Sequence, residues 1–113
     1  MGKIIKNTDF QEMYKKGNKY FGKYMLIYVI TNTNKDESDI GVVASKKVGN
    51  AIVRNRLKRL FREVFRLNKL HLNNNYKIVI ISKYYSGTKF KELKYKDIEK
   101  DYLRLLKKAD VYK

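Results

Sequence analysis

Residues Lys46–Phe65 read KKVGNAIVRNRLKRLFREVF, and a change of hydrophobic period around this stretch decides the fold. Just before it, Ile40–Ser45 (IGVVAS) is a short apolar run with the character of a strand. Gly49-Asn50 then breaks the chain, and Asn50 is a suitable N-cap. From Ala51 onward Val53, Leu57, Leu60, Phe61 and Val64 recur at i, i+4, i+7, i+8 and i+11, the spacing of an amphipathic helix. A strand hands over to a long basic helix within a few residues.

Downstream, His71–Asn75 (HLNNN) ends that helix, and Tyr76–Ser82 (YKIVIIS) is a strand whose near-continuous apolar run suits burial on both faces. Tyr84–Lys89 (YYSGTK) reads as a loop. A last helix, from about Tyr95 to Ala109, carries Ile98, Tyr102, Leu105 and Leu106 on one stripe with Lys and Arg opposite. Upstream, Thr8 with Gln11 forms a capping box, Gly17 is the matching stop, and Phe10, Met13 and Tyr14 share one face between them. Tyr24–Thr31 (YMLIYVIT) is a strand, expected to pair with Ile40–Ser45 as a hairpin across the polar loop Asn32–Asp39. The order α-β-β-α-β-α gives an α+β fold, a single-domain α/β sandwich over residues 1–113 with a mixed central sheet. Its β-α-β crossover carries the basic helix, and such crossovers are normally right-handed.

Charge narrows the function. Lys and Arg total 27 against 11 Asp and Glu, a formal net charge of +16. A polyanion would relieve the self-repulsion of so basic a domain and release its own condensed counterions on binding. The chain has no Cys, which excludes disulfides and thiolate metal sites. The N-terminus MGKIIKNTDF has no apolar signal region and lacks the Ser or Thr of a myristoylation site at Lys6, and no run spans a bilayer. A cytoplasmic address is expected by elimination.

Within the helix, Arg54, Lys58, Arg62 and Arg66 fall on one edge, expected opposite the apolar stripe, with Asn55 and Arg59 widening it and Arg56 on the other flank. A solvated helix face normally mixes signs, with Glu paired to Lys four residues on. Here like charges repeat at i,i+4, which points to an external anion. Arg is favoured over Lys in this helix alone, and its planar fork grips phosphate at two points. A membrane surface is the weaker reading, because the apolar stripe is needed to cover strands. Phe10, Tyr14 and Tyr28 fit equally a core or a groove in which bases stack while cations follow the backbone. No catalytic set is visible: His71 stands alone in a polar turn, and the acids of the Asp36-Glu37-Asp39 loop read as solvated.

Ser45–Arg66, SKKVGNAIVRNRLKRLFREVFR, resembles the signature of the bacterial ribonuclease P protein component, with Arg54-Asn55-Arg56 as its hallmark. NTDFQEMYKKG resembles that family's first helix, YMLIY its first strand and LKYKDIEKDYLRLL its last helix, so the resemblance covers most of the chain. It implies a subunit of the ribonucleoprotein that removes the 5′ leader from precursor tRNA, with hydrolysis performed by the RNA subunit and its bound Mg²⁺. It implies no catalytic residue in the protein, no membrane and no obligate protein partner. By resemblance, Lys46, Lys47, Arg54, Asn55, Arg56, Lys58, Arg59 and Arg62 contact the RNA subunit, with Ser45 leading into that surface. Phe10, Tyr14, Tyr28, Arg54 and Lys58 form the leader-binding cleft. Tyr14 stands where the family more often has Phe, and a phenol still stacks. The family's crossover is left-handed, against the general rule. The residues without the resemblance also fit a small ribosomal or general RNA-binding protein, or a binder of duplex DNA.

Overall fold

A computed structural model describes residues 7–32 and 37–113. The elements are α1 (Asn7–Lys16), β1 (Asn18–Phe21), β2 (Met25–Thr31), β3 (Asp39–Val43), α2 (Ala51–Leu67), a 3-10 turn (Lys69–His71), β4 (Tyr76–Ser82), α3 (Tyr84–Thr88) and α4 (Tyr95–Lys108). The side chain of Thr8, expected to cap α1, lies outside what is described, as do residues 1–6 and Asp36.

The four strands form one mixed sheet in the order β1-β2-β4-β3. β4 lies between β2, antiparallel with Tyr28 opposite Val79, and β3, parallel with Val42 opposite Ile80. The expected β2–β3 hairpin is therefore replaced. β4 is the most apolar strand, with Ile78, Val79 and Ile80 fully buried. At an edge it would expose both those side chains and a row of unpaired backbone groups, so it takes the centre and separates its neighbours. Two short elements extend the expected order. β1 adds to the free edge of β2 across a turn closed by Gly22 N–H donating to the Met25 carbonyl at 2.7 Å. α3 forms where a loop is expected from the sequence.

Alternation along the strands separates two faces. Met25, Ile27, Val29, Ile40, Ile78 and Ile80 face α2 and α4 and share a core with Leu57, Phe61, Val64, Phe65, Ile98, Tyr102, Leu105 and Leu106. On the other face Val79 packs with Met13 of α1, and Phe10, Tyr28, Ile30, Val43 and Ile81 close around them. One short helix cannot cover four strands, so this second face stays partly open.

The basic helix holds its place because burial outweighs repulsion. Leu57, Phe61, Val64 and Phe65 are fully buried, each contributing about 1.5–3 kcal/mol. The like-charge series Arg54, Lys58, Arg62 and Arg66 costs about 1 kcal/mol in all. Phe65 belongs to the buried stripe as well, which turns the helix further than Val53 and Leu60 suggest. No helix among the described residues is long and apolar enough to cross a membrane.

Candidate nucleic-acid interface

α2 starts at Asn50, whose Oδ1 accepts from the Val53 amide at 3.0 Å, and no acid occupies its first turn. The turn before it carries Ser45, Lys46 and Lys47, all exposed, and is closed by the Val48 amide on the Ser45 carbonyl at 3.0 Å. α3 is pressed against this turn. A Cβ on Gly87 would fall 1.9 Å from the Val48 carbonyl oxygen, so only glycine permits the contact. Ser86, fully buried, fixes α3 through its hydroxyl on the Lys83 carbonyl and on Ser82.

The helix divides its cations between two surfaces. Asn55, Arg56, Arg59, Arg62 and Arg66 form an exposed ridge, with Glu63 paired to Arg66. Beside the ridge, Ile52, Asn55, Arg56, Arg59, Arg62 and Glu63 line an open groove with Phe90 as its far wall. The Arg56 guanidinium lies 5.6 Å from the Phe90 ring centroid and reaches the Leu93 carbonyl at 3.5 Å. Arg56 is thereby aimed along the groove, with spare donors outward. Phe90 and Leu93 were invisible to periodicity, since the segment between α3 and α4 has none.

Arg54 and Lys58 lie elsewhere. Both are half-buried on the shoulder of the apolar stripe rather than opposite it, a consequence of the turn that Phe65 imposes. Lys58 joins Phe10, Gln11, Tyr14, Val42, Val43 and Ala44 around a second groove, between α1 and the open sheet face. Arg54 lines neither groove, and its Nε is buried with no acceptor among the described residues.

In the second groove the Tyr14 ring sits 6.3 Å from Phe10 and 5.0 Å, edge-on, from Tyr28. Tyr14 is 46% exposed, whereas Phe10 and Tyr28 also pack on Met13 and Val79. The choice between core and groove thus resolves by residue: Tyr14 offers a free face, and the other two are shared. Burial, with Tyr28 adding to it, raises the Tyr14 hydroxyl above its ordinary pKa, so it remains a hydrogen-bond donor. Lys19 holds its ammonium 5.4 Å from the Tyr28 ring and was not anticipated.

The acids have other work. Asp101 binds the Lys23 and Tyr24 amides and Arg104, Asp97 caps α4, and Glu99 binds Tyr95 and Asn68. Asp39, expected in a solvated loop, is buried within β3. Among the described residues no three of His, Cys, Asp and Glu are grouped to hold a metal ion. His71 stacks on Tyr112 at 5.2 Å.

The family model for ribonuclease P matches residues 2–110. The ribonuclease P protein component of Fusobacterium nucleatum is 52% identical over 112 residues, covering 98% of this chain and 99% of that protein. That of Clostridioides difficile is 40% identical over 96% of this chain and 91% of its own length. Among solved structures, the ribonuclease P protein of Thermotoga maritima superposes with a TM-score of 0.85 at 30% identity, covering 96% and 97% of the two chains. That of Staphylococcus aureus gives 0.83 at 32% identity over the full length of both. With sequence and fold agreeing over the whole chain, the protein belongs to the ribonuclease P protein component family, the protein part of a tRNA-processing endoribonuclease.

Proposed function

We propose that this chain binds the ribonuclease P RNA subunit through the Asn55–Arg62 ridge and the Lys46-Lys47 turn, and holds the precursor tRNA leader in the Phe10–Tyr14–Lys58 groove. The observation that carries this reading is the division of α2. One helix presents guanidinium groups on an outward ridge and, a quarter-turn away, an ammonium in a groove with the half-buried Phe10 and the exposed Tyr14 ring. The ridge suits the phosphates of a folded RNA, which Arg grips bidentately. The groove suits a single strand, whose bases stack on rings while Lys58 follows the backbone, each stacked base adding about 1–3 kcal/mol. The protein would thus raise affinity for the precursor over the mature tRNA, which has no leader to stack.

Hydrolysis on this reading belongs to the RNA subunit, with Mg²⁺ held mainly by its phosphates. The chain's own carboxylates fit a cation site poorly: Asp101 is enclosed by amides and Arg104, and Glu63 is paired with Arg66. A cytoplasmic location, where precursor tRNA is processed, belongs to the same proposal. Reconstitution tests it. The protein alone should leave precursor tRNA intact, and with a bacterial ribonuclease P RNA at low Mg²⁺ it should restore cleavage at the mature 5′ end. Cleavage by the protein alone, or no help to the RNA, would sink the proposal.

A further inference from the structure

We infer that Phe21, Tyr24, Tyr84 and Tyr85, with Lys19 and Lys23, form a second stacking site for single-stranded RNA, which takes leader nucleotides beyond those in the Phe10–Tyr14 groove. The inference rests on the leader reading given above and adds a length dependence to it.

Phe21 is 55% exposed, Tyr84 68% and Tyr85 40%, and they lie on the β1–β2 turn and α3, which adjoin through the Lys83 amide on the Tyr24 carbonyl. The Tyr24 and Tyr85 rings are stacked at 5.7 Å with 19° between their planes. The Lys23 ammonium lies 5.3 Å from the first and 5.9 Å from the second, and Lys89 lies 5.8 Å from Tyr85. Phe21 sits between Lys19 at 5.5 Å and Lys83 at 5.9 Å. Lys19 also covers Tyr28, whose ring meets Tyr14. Lys19 thereby links Phe21 to the Phe10–Tyr14 groove, and Lys83, bonded to the Gly22 carbonyl, stands at the join of the turn and α3.

This chemistry discriminates between partners. A protein-binding patch of this size would keep lysine out of its centre. A single-strand platform needs the opposite, rings for bases interleaved with cations for phosphates. Two acids line the cleft beside Lys23 and Tyr24, and both are engaged: Asp97 accepts from the Lys94 amide, and the Asp101 side chain is 3% exposed and is occupied by the Lys23 and Tyr24 amides and by Arg104. The same bonds hold the turn rigid. Lys83 adds its ammonium on the Gly22 carbonyl at 2.6 Å, and a Cβ on Gly22 would fall 2.6 Å from Asp101 Oδ2. Rings fixed before binding lose little freedom when a strand settles on them.

The test uses the full chain reconstituted with a bacterial ribonuclease P RNA and precursor tRNAs whose leaders run from about 4 to about 16 nucleotides. Phe21→Ala/Tyr84→Ala should weaken binding of the longest leader roughly tenfold and leave the shortest unaffected. Phe10→Ala should weaken both. If Phe10→Ala changes neither, the leader reading itself fails. If Phe10→Ala acts and the double variant shows no length-dependent loss, the second site fails, and the surface is a protein contact. Both substituted side chains are more than half exposed, so folding is not at stake. As an independent readout, 4-thiouridine in a single-stranded RNA of about 16 nucleotides should crosslink to Phe21 or Tyr84 in the protein alone. Crosslinks confined to α1 and β2 would overturn the inference.

Discussion

Removing the Asp101 carboxylate should unfold more of this protein's stability than removing any of its exposed ion pairs. The carboxylate accepts from the Lys23 amide at 2.9 Å, the Tyr24 amide at 2.8 Å and Arg104 Nη2 at 2.8 Å. Its partners differ in what they lose. Arg104 is 56% exposed and regains water, so its ion pair is worth at most about 1 kcal/mol. The two amides sit behind a side chain that is 3% exposed. Left without an acceptor, each costs about 1–3 kcal/mol. Asp101→Ala should therefore cost about 2–6 kcal/mol, a fall in Tm of roughly 8–25 °C, against less than about 1 kcal/mol for Arg104→Ala. Asp101→Asn, which keeps one acceptor oxygen, should fall between them. Urea titrations followed by far-UV circular dichroism, with an unchanged m-value, would measure all three. Equal losses for Arg104→Ala and Asp101→Ala would refute the reasoning, because the ion pair rather than the amide clamp would then hold the turn.

The fully buried Tyr102 hydroxyl has no partner among the described residues, so Tyr102→Phe should be neutral or stabilise by about 1 kcal/mol; a clear loss in the same titration would reveal a partner for it. Burial first, then the hydrogen bond with Glu99, raises the Tyr95 hydroxyl to about 12. Its folded pKa lies above the unfolded value, so its contribution is complete below about pH 10 and is lost as pH rises through about 12. Wild type should then lose stability relative to Tyr95→Phe over that window, and parallel pH curves for the two would contradict the assignment. Phe90→Ala should weaken RNA-subunit binding by about 0.5–1 kcal/mol by releasing Arg56, with the salt slope unchanged. Arg56→Ala should instead lower that slope by about 1 in filter-binding titrations across salt.

The long elements were legible because their periods are unmixed. α4 buries all four residues that its stripe picks out, Ile98, Tyr102, Leu105 and Leu106. β4 reads as central from its run of isoleucine and valine, yet the same observation should have forbidden a β2–β3 hairpin. A strand buried on both faces needs two neighbours, and the flanking strands were the ones to hand. β1 was unreadable because NKYF alternates too briefly; it exists because β2 has a free edge and Asp101 and Gly22 close the turn. α3 is a tertiary product of Gly87 against Val48 and of buried Ser86. In the site, spacing found the cations and misplaced two of them. Omitting Phe65 from the stripe rotated the inferred face, so Arg54 and Lys58 were expected opposite the core and stand beside it.

That shift of a fraction of a turn has a functional consequence. Were Lys58 opposite the core, α2 would have one charged face and could meet one polyanion. On the shoulder, Lys58 faces the open side of the sheet while Arg56, Arg59 and Arg62 face away from it. On the proposed function the same helix then offers one surface to a folded RNA and one edge to a single strand, fixed relative to each other by Leu57, Phe61, Val64 and Phe65. The usual means of relieving repulsion on a helix, Glu at i,i+4, would set an anion against one phosphate surface or the other. Glu63 is the single acid in α2 and pairs toward its C-terminal end with Arg66, leaving Arg54 through Arg59 uncompensated. The residual cost, about 1 kcal/mol against about 6–12 kcal/mol of apolar burial, is small enough for the fold to carry without correction. On that proposal the charge pattern answers to two RNA surfaces, and the core is what makes it tolerable.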